Sequence, residues 1–298
     1  TPTERQAQLQ ALNCQITNAW HTDEIRKHKP TPIDEAKWGF TAIEQTLWQA
    51  VPDFLRQLDR AVFDQLGRHL PLNHCPIRFA SWMGGDRDGN PNVTHAVTHE
   101  VLLLARWQAA ELLHKDIDAL RWTLSMQACS TALQQRVGAH SQEPYRDLLR
   151  EVRDRLARTR DWAQAAIAAE FVVPDDVYLD DADLLQPLQL CYDSLVESNL
   201  GDIAQGDLLD LIRRVHCFGL TLLKLDIRQD ASRHLHAVAA ITDYLQLGDY
   251  AAWSETDKQA FLLRELQNPR PLLPRQRHAS PEMPIEQPDV QEVLRTFA

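Results

Sequence analysis

Helical periodicity covers most of this 298-residue chain, and it constrains the fold more than any other feature. Apolar residues recur three or four positions apart in one segment after another, which is typical of helices that bury one face. The predicted helices begin at Thr1, Thr31 and Pro144, span about 94–126, 184–195, 208–215, 232–245 and 254–266, and end with a short one from Val290. The sequence therefore predicts a mostly α-helical fold.

Two short apolar stretches, residues 76–82 and 218–226, do not follow this pattern and are predicted to be buried strands. A run of charge follows each of them, at 86–88 and at 226–230, and a helix comes next. A strand, a polar tip and a helix form the unit of an α/β barrel, whose function lies at the carboxyl ends of the strands. We expect a helical chain that contributes a few parallel strands to an incomplete barrel.

Charge and composition exclude several classes of partner. The formal net charge of −11 is unsuited to binding a nucleic-acid backbone. No apolar run has the length of a membrane span, and no secretory signal opens the sequence. The five cysteines include no CxxC pair, which favours reduced thiols. We expect a cytoplasmic protein with no nucleic-acid or membrane partner, in which any anionic substrate is held by local arginines.

The domain organisation is predicted to be simple. Residues 1–298 are expected to form a single partial domain, since no internal repeat or low-complexity segment divides them. Within it, residues 268–289 are predicted to form a proline-rich loop, because six prolines between 269 and 288 prevent a regular helix.

The polar loop after the first predicted strand does not match a known ion or phosphate loop. Residues 86–90 resemble the start of a calcium loop, but Pro91 and Val97 occupy the positions of its glycine and its bidentate glutamate. Gly84-Gly85 lacks the lysine and hydroxyl residue of a phosphate-binding loop. From spacing alone, a tight turn whose Asp and Asn side chains bond to their own backbone is favoured.

Arg228 lies between Asp226 and Asp230 after the second predicted strand, and two interpretations of it stay open. The arginine either pairs with these aspartates or offers its planar fork to a phosphate or carboxylate. No nucleophile elbow and no cysteine with an evident histidine base are present. The residues alone therefore give no complete catalytic set.

The segment SWMGGDRDGNPNVT at 81–94 resembles the signature of the phosphoenolpyruvate carboxylase family. Other segments resemble the family in the same order, so the likeness covers nearly the whole chain; they are 20–40, 143–156, 206–234 and 257–274. The resemblance implies an allosteric homotetramer that joins bicarbonate to phosphoenolpyruvate with Mg²⁺, giving oxaloacetate and phosphate. Bicarbonate would attack the phosphorus, and the enolate carbon would then capture the CO₂ released from carboxyphosphate.

The resemblance also assigns roles to residues of this chain. It implies that Arg228 binds the phosphate and that Trp82 walls the pocket for bicarbonate or CO₂. Arg26 and Arg146 match positions that contact a sugar-phosphate effector in some family members. The implied structural turn consists of Asp86, Arg87, Asp88 and Asn90, with Arg87 expected to be held between the two aspartates.

Several parts of the family's machinery have no match in this sequence. The general-base histidine, a catalytic lysine and the acidic ligands of Mg²⁺ are expected to lie outside this chain. The chain is therefore expected to be an internal piece of a longer enzyme and to be inactive alone. The alternative is a stand-alone helical binding or scaffold module that keeps the fold without the chemistry.

Overall fold

The structure is a computed structural model that describes residues 1–22, 29–169, 172–273 and 285–297. It is mostly α-helical, which confirms the predicted fold class. The chain divides into two compact units, Thr1–Thr31 and Pro32–Ala298. The expectation of a single partial domain stays a prediction, and the predicted proline-rich loop lies partly outside the described residues.

The first unit contains helix α1, Pro2–His21. Its start follows the sequence prediction: the Thr1 hydroxyl accepts from the Glu4 amide at 3.3 Å, and the Glu4 carboxylate accepts from the terminal amino group at 2.5 Å. Pro2 occupies the first turn, where no intrahelical donor is needed. None of the residues of α1 is buried.

The second unit contains eleven helices in its described residues. They are α2 Pro32–Ala42, α3 Trp48–Leu66, α4 His95–Thr123, α5 Thr131–Val137, α6 Pro144–Ala168, α7 Asp181–Glu197, α8 Gly201–Ile203, α9 Leu209–Phe218, α10 Ala231–Tyr244, α11 Glu255–Leu266 and α12 Pro288–Phe297. The core lies between the long helices α4 and α6 and the helices α3, α7 and α9, whose apolar faces are buried together.

Pro52 lies inside α3 without ending it. Proline has no N–H, so the carbonyl of Trp48 loses its helical donor. The side chain of Arg214 replaces that donor, with Nε 2.8 Å from the Trp48 oxygen. A π-helical stretch, Ile43–Leu47, directly precedes α3.

Two short strands, β1 Ala80–Ser81 and β2 Lys224–Leu225, pair in parallel with Ala80 opposite Lys224. The parallel direction agrees with the predicted strand–tip–helix units, whereas the barrel itself stays a prediction. Both strands are shorter than predicted. In the second case α9 continues to Phe218 and a 3₁₀ turn covers Gly219–Thr221, because the apolar helical pattern of α9 runs into the predicted strand.

Among the described residues, no helix combines the length and the apolar character that crossing a membrane requires.

Candidate functional site

The parallel strands bring the two polar tips together. Beyond β1 and β2, the backbones of residues 85–87 and 228 stay paired: Arg228 N–H donates to the Gly85 oxygen at 3.0 Å, and Arg87 N–H donates to the Arg228 oxygen at 2.9 Å. The turn at residue 82 starts this arrangement, since the Trp82 oxygen accepts from the amides of Gly85 and Asp86 at 2.9 Å. Residues far apart in sequence thus share one backbone framework.

The two glycines of the motif are needed for different steric reasons. Gly84 has a φ of +82°, which L-residues with a side chain rarely adopt. A Cβ atom on Gly84 would also lie 2.6 Å from Cγ2 of Val101 on α4. At Gly85 a Cβ would lie 2.2 Å from the backbone oxygen of Asp226. The glycine pair therefore lets the turn pack against α4 on one side and the second tip on the other.

Arg87 is buried at 8% exposure, and its partners correct the prediction that it is held between Asp86 and Asp88. Its Nη1 donates to the Gly85 oxygen at 3.1 Å, and its Nη2 donates to Oγ1 of Thr98 at 2.5 Å. Nε is buried and has no partner within the described chain. Burial lowers the pKa of Arg87, an effect that the negative charge of Glu292 partly opposes.

Thr98, in the first turns of α4, is a contributor that the sequence reading missed. Its hydroxyl donates to the Gly84 oxygen at 2.7 Å while accepting from Arg87, so one buried side chain joins the glycine turn to the helix. No local sequence pattern predicts that a threonine inside a helix makes these two hydrogen bonds. Only the packing of α4 against the turn identifies it.

Arg228 forms an ion pair with Asp86, its neighbour on the other tip, instead of with Asp226 or Asp230. Its Nη1 lies 3.3 Å from Oδ2 of Asp86, and its side chain is 60% exposed. In the described part of the chain this is the only side-chain partner of the guanidinium. At this exposure the guanidinium is open to solvent, where a planar anion could be bound.

Acidic and amide side chains of the turn accept hydrogen bonds from backbone amides. Oδ1 of Asp86 accepts from the Asp88 amide at 3.1 Å, and Oδ1 of Asn90 accepts from the Asn92 amide at 3.1 Å. Asp86 therefore has two tasks, because its other oxygen faces Arg228. Short polar side chains that bond two residues ahead stabilise this kind of turn.

Trp82 directly follows Ser81, and alternation along the strand places the two side chains on opposite sides. Ser81 is buried, whereas Trp82 is 63% exposed. The indole therefore projects from the same turn that carries Asp86. An exposed indole is an apolar surface that a ligand or another segment can cover.

Of the two residues matched to an effector site, only Arg146 lies among the described residues. Arg26 lies outside the described residues. Arg146, on α6, donates from Nε to the Arg121 oxygen at 2.8 Å and pairs with Glu143 at 2.5 Å, and its guanidinium lies 5.5 Å from the centre of the Trp122 ring. Arg146 thus has several partners within this chain.

A cavity of about 500 Å³ lies elsewhere in this unit, between α5, α6 and α7, and neither Trp82 nor Arg228 lines it. Its three arginines already have acidic partners, such as Asp183 for Arg155 at 3.2 Å. Arg155 also stacks 4.1 Å from the centre of the Tyr178 ring, whose burial raises the pKa of Tyr178 to about 12. Each arginine of this cavity is thus paired with a carboxylate.

The described residues do not fit a magnesium site. Mg²⁺ requires several oxygen ligands in near-octahedral geometry. Across the described ranges, no group of three or more His, Cys, Asp or Glu side chains is arranged to hold a metal ion. At the strand tips, the carboxylate of Asp86 is already bonded to Arg228 and to the Asp88 amide.

Comparison with known proteins gives a consistent result. The sequence model of the family described as phosphoenolpyruvate carboxylase matches residues 1–298. Phosphoenolpyruvate carboxylases of Acinetobacter baumannii and Acinetobacter baylyi are 55% and 56% identical over 297 residues, which is 100% of this chain and 33% of each relative. That of Pseudomonas fluorescens is 58% identical over 274 residues, 92% of this chain and 31% of the relative. The chain thus spans about a third of the length of these relatives.

Proposed function

The chain belongs to the phosphoenolpyruvate carboxylase family, and from this premise we propose that it forms part of an enzyme that makes oxaloacetate and phosphate from phosphoenolpyruvate and bicarbonate. Because the chain spans about a third of its relatives, the activity is proposed for the whole protein that carries it. The strand tips that contain Trp82 and Arg228 are its proposed share of the active site.

The observation that carries this proposal is the placement of Arg228. Parallel pairing sets its guanidinium beside the glycine turn, and Asp86 holds one of its nitrogens at 3.3 Å while the rest stays accessible. A guanidinium oriented from one side can bind two oxygens of a phosphate with the other. We propose that Arg228 binds the phosphate and stabilises the charge that develops as bicarbonate attacks phosphorus.

Trp82 has a different proposed role, because an indole carries no charge to offer a phosphate. The enolate formed during the reaction must capture CO₂ before water protonates it, which requires a water-poor pocket. An indole that projects from the same turn supplies one apolar wall of such a pocket. We propose that Trp82 borders the position of bicarbonate and of the CO₂ formed from it.

Further parts of the proposal rest on the family likeness. They are a homotetramer, a cytoplasmic location, and effector contacts at Arg26 and Arg146. The ligands of Mg²⁺, the general-base histidine and the catalytic lysine are proposed to lie outside this chain, so that the 298 residues alone have no carboxylase activity. Oxaloacetate formation by the isolated chain would contradict this last point.

The test measures steady-state oxaloacetate formation by the whole protein with either substrate varied. Arg228→Ala is expected to lower kcat/KM for phosphoenolpyruvate by roughly 10- to 100-fold, since a charge-assisted contact contributes about 1.5–3 kcal/mol. Arg264→Ala is the matched control, because Arg264 is 68% exposed, forms its ion pair with the adjacent Glu265 and otherwise lies 5.4 Å from the centre of the Phe261 ring. Equal kinetics of the two variants would remove Arg228 from the site.

The two roles are separated by the second substrate. Trp82→Ala is expected to raise the KM for bicarbonate more than the KM for phosphoenolpyruvate, because the substitution opens the apolar wall and leaves the guanidinium in place. Trp20→Ala is the control, since Trp20 is also largely exposed, at 84%, and lies on α1. An equal rise in both constants for Trp82→Ala would contradict the pocket assignment.

A further inference from the structure

Two cysteine thiols lie in contact although 142 positions separate them in sequence. The sulfur atoms of Cys75 and Cys217 are 3.2 Å apart, and both are free thiols. Cys75 lies in the segment that leads into β1, and Cys217 lies in the last turn of α9. A disulfide bond needs about 2.05 Å between the sulfurs, so an approach of roughly 1 Å is sufficient to form one.

Other contacts hold these two segments side by side. The rings of Phe79 and Phe218 stack at 5.2 Å with an angle of 6° between their planes, and the Lys224 amide donates to the Phe79 oxygen at 3.0 Å. Phe218 also stacks on Trp48 at 5.0 Å, on the core side. The two sulfurs are therefore brought together by backbone and ring contacts in which neither thiol takes part.

The two thiols differ in access. Cys75 is partly exposed and Cys217 is buried. Burial raises the pKa of Cys217 to about 12, and the neighbouring Cys75 adds to the effect. Because it is the more accessible of the two, Cys75 is the thiol that an oxidant in solution reaches first.

We propose that Cys75 and Cys217 form an oxidisable pair, which peroxides convert into a reversible disulfide. The peroxide oxidises the Cys75 thiol to a sulfenic acid and is itself reduced to water. The Cys217 sulfur then attacks the Cys75 sulfur: the S–S bond forms, the S–O bond breaks, and the hydroxyl group leaves as water with the Cys217 proton. A dithiol reductant restores both thiols.

The other cysteines provide internal references for this pair. Cys14 is exposed and Cys191 is buried, and in the described chain neither has a second sulfur in contact. Burial raises the pKa of Cys191 to about 12 as well. Oxidation of Cys14 therefore shows how fast an exposed thiol without a partner reacts, and oxidation of Cys191 shows the same for a buried one. The pairing concerns the chemistry of the thiols and is independent of the proposed carboxylase activity.

The test is a peptide map of the whole protein after brief treatment with hydrogen peroxide under native conditions. Free thiols are alkylated and trypsin digestion is done without reductant. Trypsin releases each thiol in its own peptide, since 69–78 and 215–224 are both bounded by basic residues and each contains one cysteine. The expected product is these two peptides joined with the loss of two hydrogens, and dithiothreitol is expected to separate them.

Two variants sharpen the result. Cys217→Ala is expected to abolish the linked peptides and to leave Cys75 as a sulfenic acid that dimedone traps. Cys191→Ala, which removes another buried thiol, is expected to keep the link. Recovery of Cys75 as a sulfinic acid with Cys217 still reduced in the unsubstituted protein would overturn the proposal. So would a link that forms as readily in denaturant, since the fold would then have no part in it.

Discussion

Replacing Gly85 by alanine tests the close approach of the two strand tips. The added Cβ would lie 2.2 Å from the backbone oxygen of Asp226, a distance that no stable contact allows. The atom in the way belongs to the backbone, so the second tip must move by about 1 Å to reach an ordinary contact distance. No unusual φ is involved at this glycine, because its φ lies outside the left-handed region.

The size of the effect follows from the contacts at risk. Inserting a methyl group into a well-packed site costs about 1–3 kcal/mol. The movement also strains the two hydrogen bonds between Gly85, Arg87 and Arg228, at 3.0 and 2.9 Å, each worth about 1 kcal/mol. We expect the free energy of local opening at the tips to fall by about 2–4 kcal/mol.

Native-state hydrogen exchange measures this local free energy directly. The amides of Arg87, Asp226 and Arg228 are expected to exchange roughly 30-fold to several hundred-fold faster in Gly85→Ala. Gly201→Ala is the control, because a Cβ there meets no atom within 4 Å. If the amides of the tips exchange at the same rate in the two variants, the packing argument is wrong.

Two other variants probe the support of the site and its surroundings. Thr98→Val keeps the shape of the side chain but removes the partner of Arg87, and is expected to lower the stability of the tip region by about 1–3 kcal/mol in the same exchange measurement. Burial lowers the pKa of His216, so the melting temperature of the unsubstituted protein is expected to decrease as the pH falls below about 6.5. In His216→Gln this decrease is expected to be smaller. In that range the unfolded chain binds a proton that the folded chain does not, so stability falls as pH falls.

Each of these variants has a matched control. Thr41→Val removes an exposed helical hydroxyl bonded only to its own helix, and is expected to change exchange at the tips by less than about 0.5 kcal/mol. His140→Gln, which makes the same substitution at an exposed histidine, is the control for His216→Gln. A melting profile for His216→Gln that parallels the unsubstituted protein from pH 7.5 to 5.5 would refute the assignment to His216.

The sequence predicted the long helices well, because their apolar periodicity extends over many turns. The predicted helix over 94–126 is observed as His95–Thr123, and the one after Pro144 as Pro144–Ala168. The seven-residue helix Thr131–Val137 was missed, since so short a segment shows barely two turns of any pattern. The predicted strand was placed too early, at residue 218, where the structure has the end of α9 and a 3₁₀ turn. The reason is related: a short apolar run fits a buried helix as well as a strand.

The partners of the site residues could not be predicted from local spacing. Arg87 is flanked by two aspartates in sequence, yet it bonds to Thr98 and to the backbone because α4 covers it. Arg228 is likewise near two aspartates in sequence, and it pairs with the distant Asp86. Such contacts depend on strand pairing and helix packing, which only the three-dimensional arrangement supplies.

A double-mutant cycle of Trp82→Ala and Arg228→Ala in the whole protein tests most directly whether the strand tips form one carboxylation centre. The measured quantity is kcat/KM for phosphoenolpyruvate at limiting bicarbonate. Residues that act on the same bound substrate are expected to show a coupling free energy of about 0.5–3 kcal/mol. Losses that add to within about 0.3 kcal/mol would mean that the two side chains act independently, and would contradict a shared centre.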